Sequence, residues 1–434
     1  MLSNVTVPLV GATDVYVIGH QPDPALLAGL AFGTSVFNMT FFAFNFLRTG
    51  VTGLSAQAAG AGDAVETGAI LCRAVGLALL IGGLLVLLRP LAIQAALALT
   101  EADPAVEAAA AAYLGVRFFA GPATLLQFAL VGWLWGLEDM RSAFVVQVAT
   151  NAVNVALDVW FVFGLGWGVE GAAAASVLAE WTGAALGLAF VLRALRRARD
   201  GAPLWRPMFA RALDWPRFRR MLALNRDIFI RTAVLVGGLL LFRAEANGFG
   251  AVEAAATATL FQIFSITTYA IDGFANAVNP MVGQAVGRRD PAALRAATRA
   301  AFQAGGLVAL LVTAALVFLM PALVRIFTDI PEVVAAAEAR YLYAALLPAV
   351  SVWCFLMDGM FLGAALNVVV RNAMLQAGAL YLCLLYGLPP LFGLDGLWIA
   401  VLALNGARAG TLALKWDRLL GSAGTTRTSL AEER

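Results

Sequence analysis

The chain has 434 residues, of which 61% are hydrophobic and 13% charged, with a net charge of +2 and a mean hydropathy of +0.83. Soluble domains carry about 25% charged residues, so there is too little charge here to cover a water-facing surface. This excludes a soluble enzyme, a disordered chain, a coiled coil and a secreted disulfide scaffold, and the small net charge gives no reason to expect a nucleic-acid partner.

Apolar runs occur at 1–19, 25–47, 68–88, 112–136, 142–164 and 169–192, then at 222–242, 252–278, 297–319, 340–363, 372–392 and 396–414. At about 20 residues per bilayer crossing, these predict twelve transmembrane helices joined by short turns. Strands of a closed barrel would alternate apolar and polar residues, and these runs do not. The predicted fold is an all-α polytopic membrane protein with an N-lobe at 1–193, an Arg-rich linker at 194–220, a C-lobe at 221–420 and a tail at 421–434. The linker holds Arg196, Arg197, Arg211 and Arg217 among others, and Arg288, Arg371 and Arg427 fall on the same side of a twelve-span chain. By the positive-inside rule, both termini and the linker face the cytoplasm, with the linker a solvated strap.

The chain repeats itself. Gln57, Gly60 and Asp63 recur as Gln284, Gly287 and Asp290, an offset of 227 residues (284 − 57). Near that offset Pro122 meets Pro348, Gly136 meets Gly363, and Gly168-Val-Glu-Gly171 meets Gly393-Leu-Asp-Gly396. Two bundles of six helices in one orientation imply a pseudo-twofold along the membrane normal, an architecture common among secondary transporters. The repeat also makes the first helix look truncated, because Met1 corresponds to Ile228, inside the seventh run.

Little conventional chemistry is available. Cys72, Cys354 and Cys383 each lie in an apolar run and read as small buried hydrophobes. His20 stands beside Gln21-Pro22-Asp23-Pro24 and reads as a loop or helix-end residue without metal partners. Lys415 lies in no phosphate-binding loop, so no ATP hydrolysis of that kind is expected and no enzyme active site is read.

The acids inside the spans carry the functional reading, because a charge at mid-bilayer costs roughly 2.5–3.5 kcal/mol on insertion scales. Asp14 lies within two turns of Pro8 and Gly11, so a kinked first helix would hold an acid at its bend. In the fifth run Gln147, Asn151, Asn154 and Asp158 are spaced four, three and four apart, on one helix stripe. Asn154 with Asp158 suits a proton or a small cation, whereas Gln147 and Asn151 read rather as hydrogen-bond glue between helices. In the second half Asp227 and Arg231 are four apart, a spacing that permits a pair along one face. With Asp272 and Asp358 they form a neutralised structural network or part of a substrate cavity.

At these residues the sequence resembles the multidrug and toxic compound extrusion (MATE) family, in its DinF-type branch. The segments that carry the likeness are Pro8-Leu9-Val10-Gly11 with Asp14 and Ile18-Gly19-His20, and Phe46-Leu47-Arg48-Thr49-Gly50. Leu157-Asp158 after Asn154, Leu224-Asn225-Arg226-Asp227 with Arg231-Thr232, and Asp272-Gly273-Phe274-Ala275-Asn276 extend it over nearly the whole chain. The resemblance implies twelve helices in two lobes opening as a V, and export of organic, often cationic, compounds in exchange for H⁺ or Na⁺. It implies an N-lobe cation site at Asp14, Asn154 and Asp158 with the sixth-helix hydroxyl of Ser176. Where other branches place an acid early in the seventh helix, this chain has Arg231, which puts a C-lobe ion site in doubt.

The expected mechanism follows from the acid pair. Like charge and desolvation at Asp14 and Asp158 both favour taking up a proton. Protonation from outside then reshapes the Pro8–Gly11 segment and expels the cargo. An Na⁺-coupled exporter using the same residues and a flippase for lipid-linked sugars are the alternatives. No cofactor, a small-molecule substrate, a monomeric state and the inner (plasma) membrane complete the expectations.

Overall fold

A computed structural model describes residues 17–18, 23–98, 103–197 and 205–424. Among the described residues every regular element is a helix, and ten helices are long and apolar enough to cross a bilayer. The expected twelve are therefore not all seen as such. The first run lies largely outside the described residues, together with Pro8, Gly11, Asp14 and His20. The seventh run sits in a helix whose Arg226, Asp227, Arg231, Arg243 and Glu245 dilute its apolar stretch.

The chain forms two compact units that meet in sequence at Met221 and Leu222. The principal helices of the first are α1 (Pro24–Phe42), α2 (Phe46–Gly60), α3 (Ala64–Leu87), α4 (Pro104–Arg117), α5 (Gly121–Gly136), α6 (Met140–Asp158), α7 (Gly168–Arg197) and the short α8 (Trp205–Ala212). Then come α9 (Trp215–Asn247), which enters the second unit, α10 (Ala251–Arg288), α11 (Pro291–Phe327), α12 (Pro331–Gly363), α13 (Asn367–Gly387) and α14 (Leu394–Ala413).

The scarce acids do local work. Asp23, Asp63, Asp103, Asp139 and Asp290 each cap a helix, accepting from the N–H of Ala25, Glu66, Ala105, Ser142 and Ala292 at 2.8–3.0 Å. Three of them precede a proline that starts the helix, where its missing N–H is harmless. A capped helix end leaves fewer bare N–H groups to bring near lipid.

The internal repeat is visible in the backbone. Gly62, Glu138 and Gly166 have positive φ angles, and so do Arg289, Ala365 and Gly393, each 227 residues on (289 − 62). Close helix approach repeats as well. A Cβ on Gly132 would lie 2.4 Å from the Arg48 carbonyl oxygen, and one on Gly359 would lie 2.4 Å from that of Ala275. One turn on, Gly136 faces the Thr52 carbonyl and Gly363 that of Asn279. So α2 meets α5 through a small-xxx-small face, and α10 meets α12 through its copy.

These glycines give a stability prediction. Gly363→Ala sets a methyl 2.2 Å from the Asn279 oxygen, overpacking expected to cost about 1–3 kcal/mol. Gly115 and Gly406 face open space, so alanine there should leave thermal unfolding in detergent unchanged or slightly raised. Equal melting temperatures for Gly363→Ala and Gly406→Ala would reject the tight-crossing account.

The linker is exposed or half-buried over residues 206–220 apart from Met208, and it is anchored as well as solvated. Arg211 binds Asp63 at 2.7 Å, Arg217 binds Glu66, and Glu66 also holds Arg73 at 2.7 Å. Met208 of α8 is buried in the space left by Gly68. Of the cysteines only Cys354 is buried, whereas Cys72 is intermediate and Cys383 exposed. A thiol on the apolar outer face of a bundle meets lipid at little cost, so an apolar run does not distinguish core from rim.

Candidate functional site

In the first unit α6 and α7 pack side by side, and their facing polar residues are buried. Asp158, the last residue of α6, is completely buried, and Asn154 one turn earlier is 2% exposed. The Asn154 side-chain amide donates to the Ser176 hydroxyl of α7 at 3.2 Å. Its oxygen, Asn154 Oδ1, is buried without a hydrogen-bond partner among the described residues. Directly after Asp158 the chain widens into a π-helical turn, Val159–Gly164. Such turns loosen the regular hydrogen-bond ladder and recur at functional sites.

The polar layer continues past the residues that the sequence singled out. Thr150, one turn before Asn154, is 3.4 Å from the Gln127 side-chain oxygen of α5. The Gln127 amide donates to the Glu180 carbonyl at 2.8 Å and to its carboxylate. Arg117 of α4 reaches Glu180 at 3.7 Å and lies 3.9 Å over the Phe37 ring. A Cβ on Gly183 would collide with Thr150 Oγ1 at 2.0 Å, so a glycine keeps the layer closed. Four-residue spacing was the available signal, because Thr150, Asn154 and Asp158 form one series and Ser176 and Glu180 another. The expected stripe divides accordingly. Gln147 bonds Asn151 at 3.0 Å along its own helix, while Asn154 bonds across to α7.

In the second unit Asp227 and Arg231, whose spacing permits a pair, each take another partner. Asp227, 2% exposed, takes Arg371 of α13 at 2.8 Å and Arg226 at 3.1 Å. Arg231 reaches across to Asp358 of α12, and Arg408 of α14 binds the same carboxylate oxygen at 2.6 Å. Position explains the exchange: Arg231 lies a turn deeper in α9 than Asp227, level with the buried acid of α12. Arg408 was not singled out in the sequence. Its signal was Asn405-Gly406-Ala407-Arg408 inside an otherwise apolar span, and Arg408 Nη1 donates to Asn405 Oδ1 at 3.1 Å. Asp272 accepts from Asn276 on its own helix at 3.1 Å.

The structure thus brings together Asn154, Asp158 and Ser176 in one unit and Arg231 with Asp358 in the other. Asp14, Pro8 and Gly11 lie outside the described residues. The first arrangement offers buried carboxylate, amide and hydroxyl oxygens to a proton or a small cation. The second offers guanidinium donors to an anion.

The MatE family model matches residues 1–160 and 228–374. DNA damage-inducible protein F of Escherichia coli (strain K12) is 37% identical over 425 residues, covering 96% of this chain and 90% of that protein. A probable multidrug resistance protein NorM of Xanthomonas axonopodis pv. citri (strain 306) is 28% identical over 354 residues, covering 80% and 75%. A crystal structure of MATE in the straight conformation aligns with a TM-score of 0.85 at 18% identity, covering 98% of this chain and 95% of that one. The bent conformation aligns at 0.84 and 19% over the same shares. Family match, whole-length relatives and fold agree: the chain belongs to the MatE family of multidrug and toxic compound efflux transporters, and is a multi-pass membrane protein and not an enzyme.

Proposed function

We propose that this protein is a secondary antiporter of the inner (plasma) membrane that exports organic compounds, cationic ones among them, in exchange for protons. Asp158 and Asp14 carry the proton, and Asn154 and Ser176 orient the site. The monomer is the working unit, with both termini and the linker in the cytoplasm. The observation that carries the reading is the full burial of Asp158 beside the Asn154–Ser176 pair, at the start of a π-helical turn. A carboxylate retained in a span, where charge is disfavoured, is worth keeping for its change of charge. A loosened turn next to it gives that change a place to act. Each charge moving down 100 mV supplies roughly 2.3 kcal/mol, enough to concentrate an exported solute several-fold. Pro8 and Gly11, flanking Asp14, are the proposed hinge of the first helix.

The buried oxygen of Asn154, which has no hydrogen-bond partner among the described residues, favours a second reading, in which Na⁺ takes the proton's place among the same oxygens. Proteoliposomes loaded with a fluorescent organic cation and driven separately by a pH gradient and by an Na⁺ gradient decide between the two. Proton coupling requires efflux under the pH gradient in Na⁺-free buffer. Efflux under the Na⁺ gradient alone selects the second reading, and efflux under neither overturns both.

A further inference from the structure

The buried cluster of the second unit is unbalanced. Two guanidinium groups, Arg231 and Arg408, share a single carboxylate, Asp358, and both donate to its Oδ2. No other carboxylate of the described residues forms an ion pair with either arginine. The Arg408 side chain is 2% exposed and that of Arg231 18%. Both Nε–H groups are buried with no acceptor among the described residues. The neighbouring polar groups do not redress the charge: Asn405 is neutral, and the Cys354 thiol is engaged with Ser351 and Asn405. An excess positive charge with unfilled donors in a low-dielectric interior is a strongly unfavourable arrangement unless an anion answers it.

We propose that Arg231 and Arg408 form an anion-recognition site for cargo, one that takes the carboxylate, sulfonate or phosphate of an otherwise apolar organic molecule. Asp358 holds the two guanidiniums together while the site is empty, and the cargo's acid group accepts their remaining N–H donors when it is occupied. The Phe355 ring, centred 5.7 Å from the Arg408 guanidinium, offers an apolar neighbour for the body of the molecule. Arg231 is the more exposed of the two and therefore the point of entry. The site widens the cargo class from organic cations to amphiphilic and zwitterionic acids. It rests on the exporter reading only for its purpose, not for its existence.

The test is equilibrium binding to the purified full-length protein in detergent, with no gradient, so that failure of proton coupling does not affect it. Pyrenebutyrate and its neutral primary amide are compared by fluorescence anisotropy. Wild type is expected to prefer the carboxylate by about tenfold, the scale of a hydrogen bond to a charged group. Arg231→Gln leaves Arg408 and Asp358 as a neutral pair and should erase that preference, while Arg231→Lys keeps the charge and most of the preference. Equal binding of acid and amide by wild type overturns the proposal. So does an undiminished preference in Arg231→Gln, which would make the arginine cluster a strut between helices only.

Discussion

Asp158→Asn is expected to reduce pH-driven export to the background of protein-free liposomes while leaving the protein folded. The substitution keeps the size of the side chain and its hydrogen-bonding capacity but removes the only atoms at that position able to bind and release a proton. Asp158 is fully buried in a bilayer-spanning helix, so the neutral amide is no harder to accommodate than the acid, and melting temperature should not fall. Asn154→Ala and Ser176→Ala remove the 3.2 Å contact that orients the site and should weaken export without abolishing it. Asp14→Asn should match Asp158→Asn if the two acids act as one proton-carrying pair. The decisive readouts are efflux from proteoliposomes and proton release on cargo binding in detergent. Export that persists in Asp158→Asn at the wild-type rate would remove this residue from the coupling step.

The scaffold was more legible in the sequence than the chemistry. Composition and run length suffice for a helical membrane fold, because bilayer thickness and backbone satisfaction leave few alternatives. The repeat was legible for a related reason. Gly132, Gly136, Gly359 and Gly363 sit where helix backbones cross too closely for a side chain, and positive φ returns at the same turns. Pairing partners were not legible. Asp227 and Arg231 are four apart, a spacing that permits a pair, yet each has a better partner on another helix. Arg408 and Glu180 have no charged residue at pairing distance on their own helices, and only tertiary packing sets them beside Asp358 and Arg117.

The two units share a frame and not their buried chemistry. At the repeat offset Asp158 falls on Leu385, Asn154 on Tyr381 and Ser176 on Ala403. In the other direction Asp358 falls on Val131 and Arg408 on Trp181. Glycines that set helix crossings are held by sterics in both units, whereas polar residues are free to differ wherever one unit alone needs them. This asymmetry is what a division of labour requires, with the proposed site for a positive ion in one unit and a net positive cluster in the other. It also leaves the buried guanidiniums of Arg231 and Arg408 dependent on a single acid among the described residues.

Asp358→Leu should therefore be among the most destabilising single changes in the second unit. Among the described residues Asp358 is the one carboxylate that both Arg231 and Arg408 bind, and removing the common partner of buried charges typically costs about 3–5 kcal/mol. The two stranded guanidiniums differ in how they can escape. Arg231, 18% exposed, can extend its head towards the open side, whereas Arg408, 2% exposed, cannot. Adding Arg408→Met to Asp358→Leu should thus recover a large part of the loss, and adding Arg231→Met should recover less. Thermal unfolding of the four proteins in detergent, wild type included, gives the comparison directly. If Arg408→Met instead deepens the loss in the Asp358→Leu background, the cost lies in packing and not in unpaired charge, and the account of this cluster as an unbalanced electrostatic site fails.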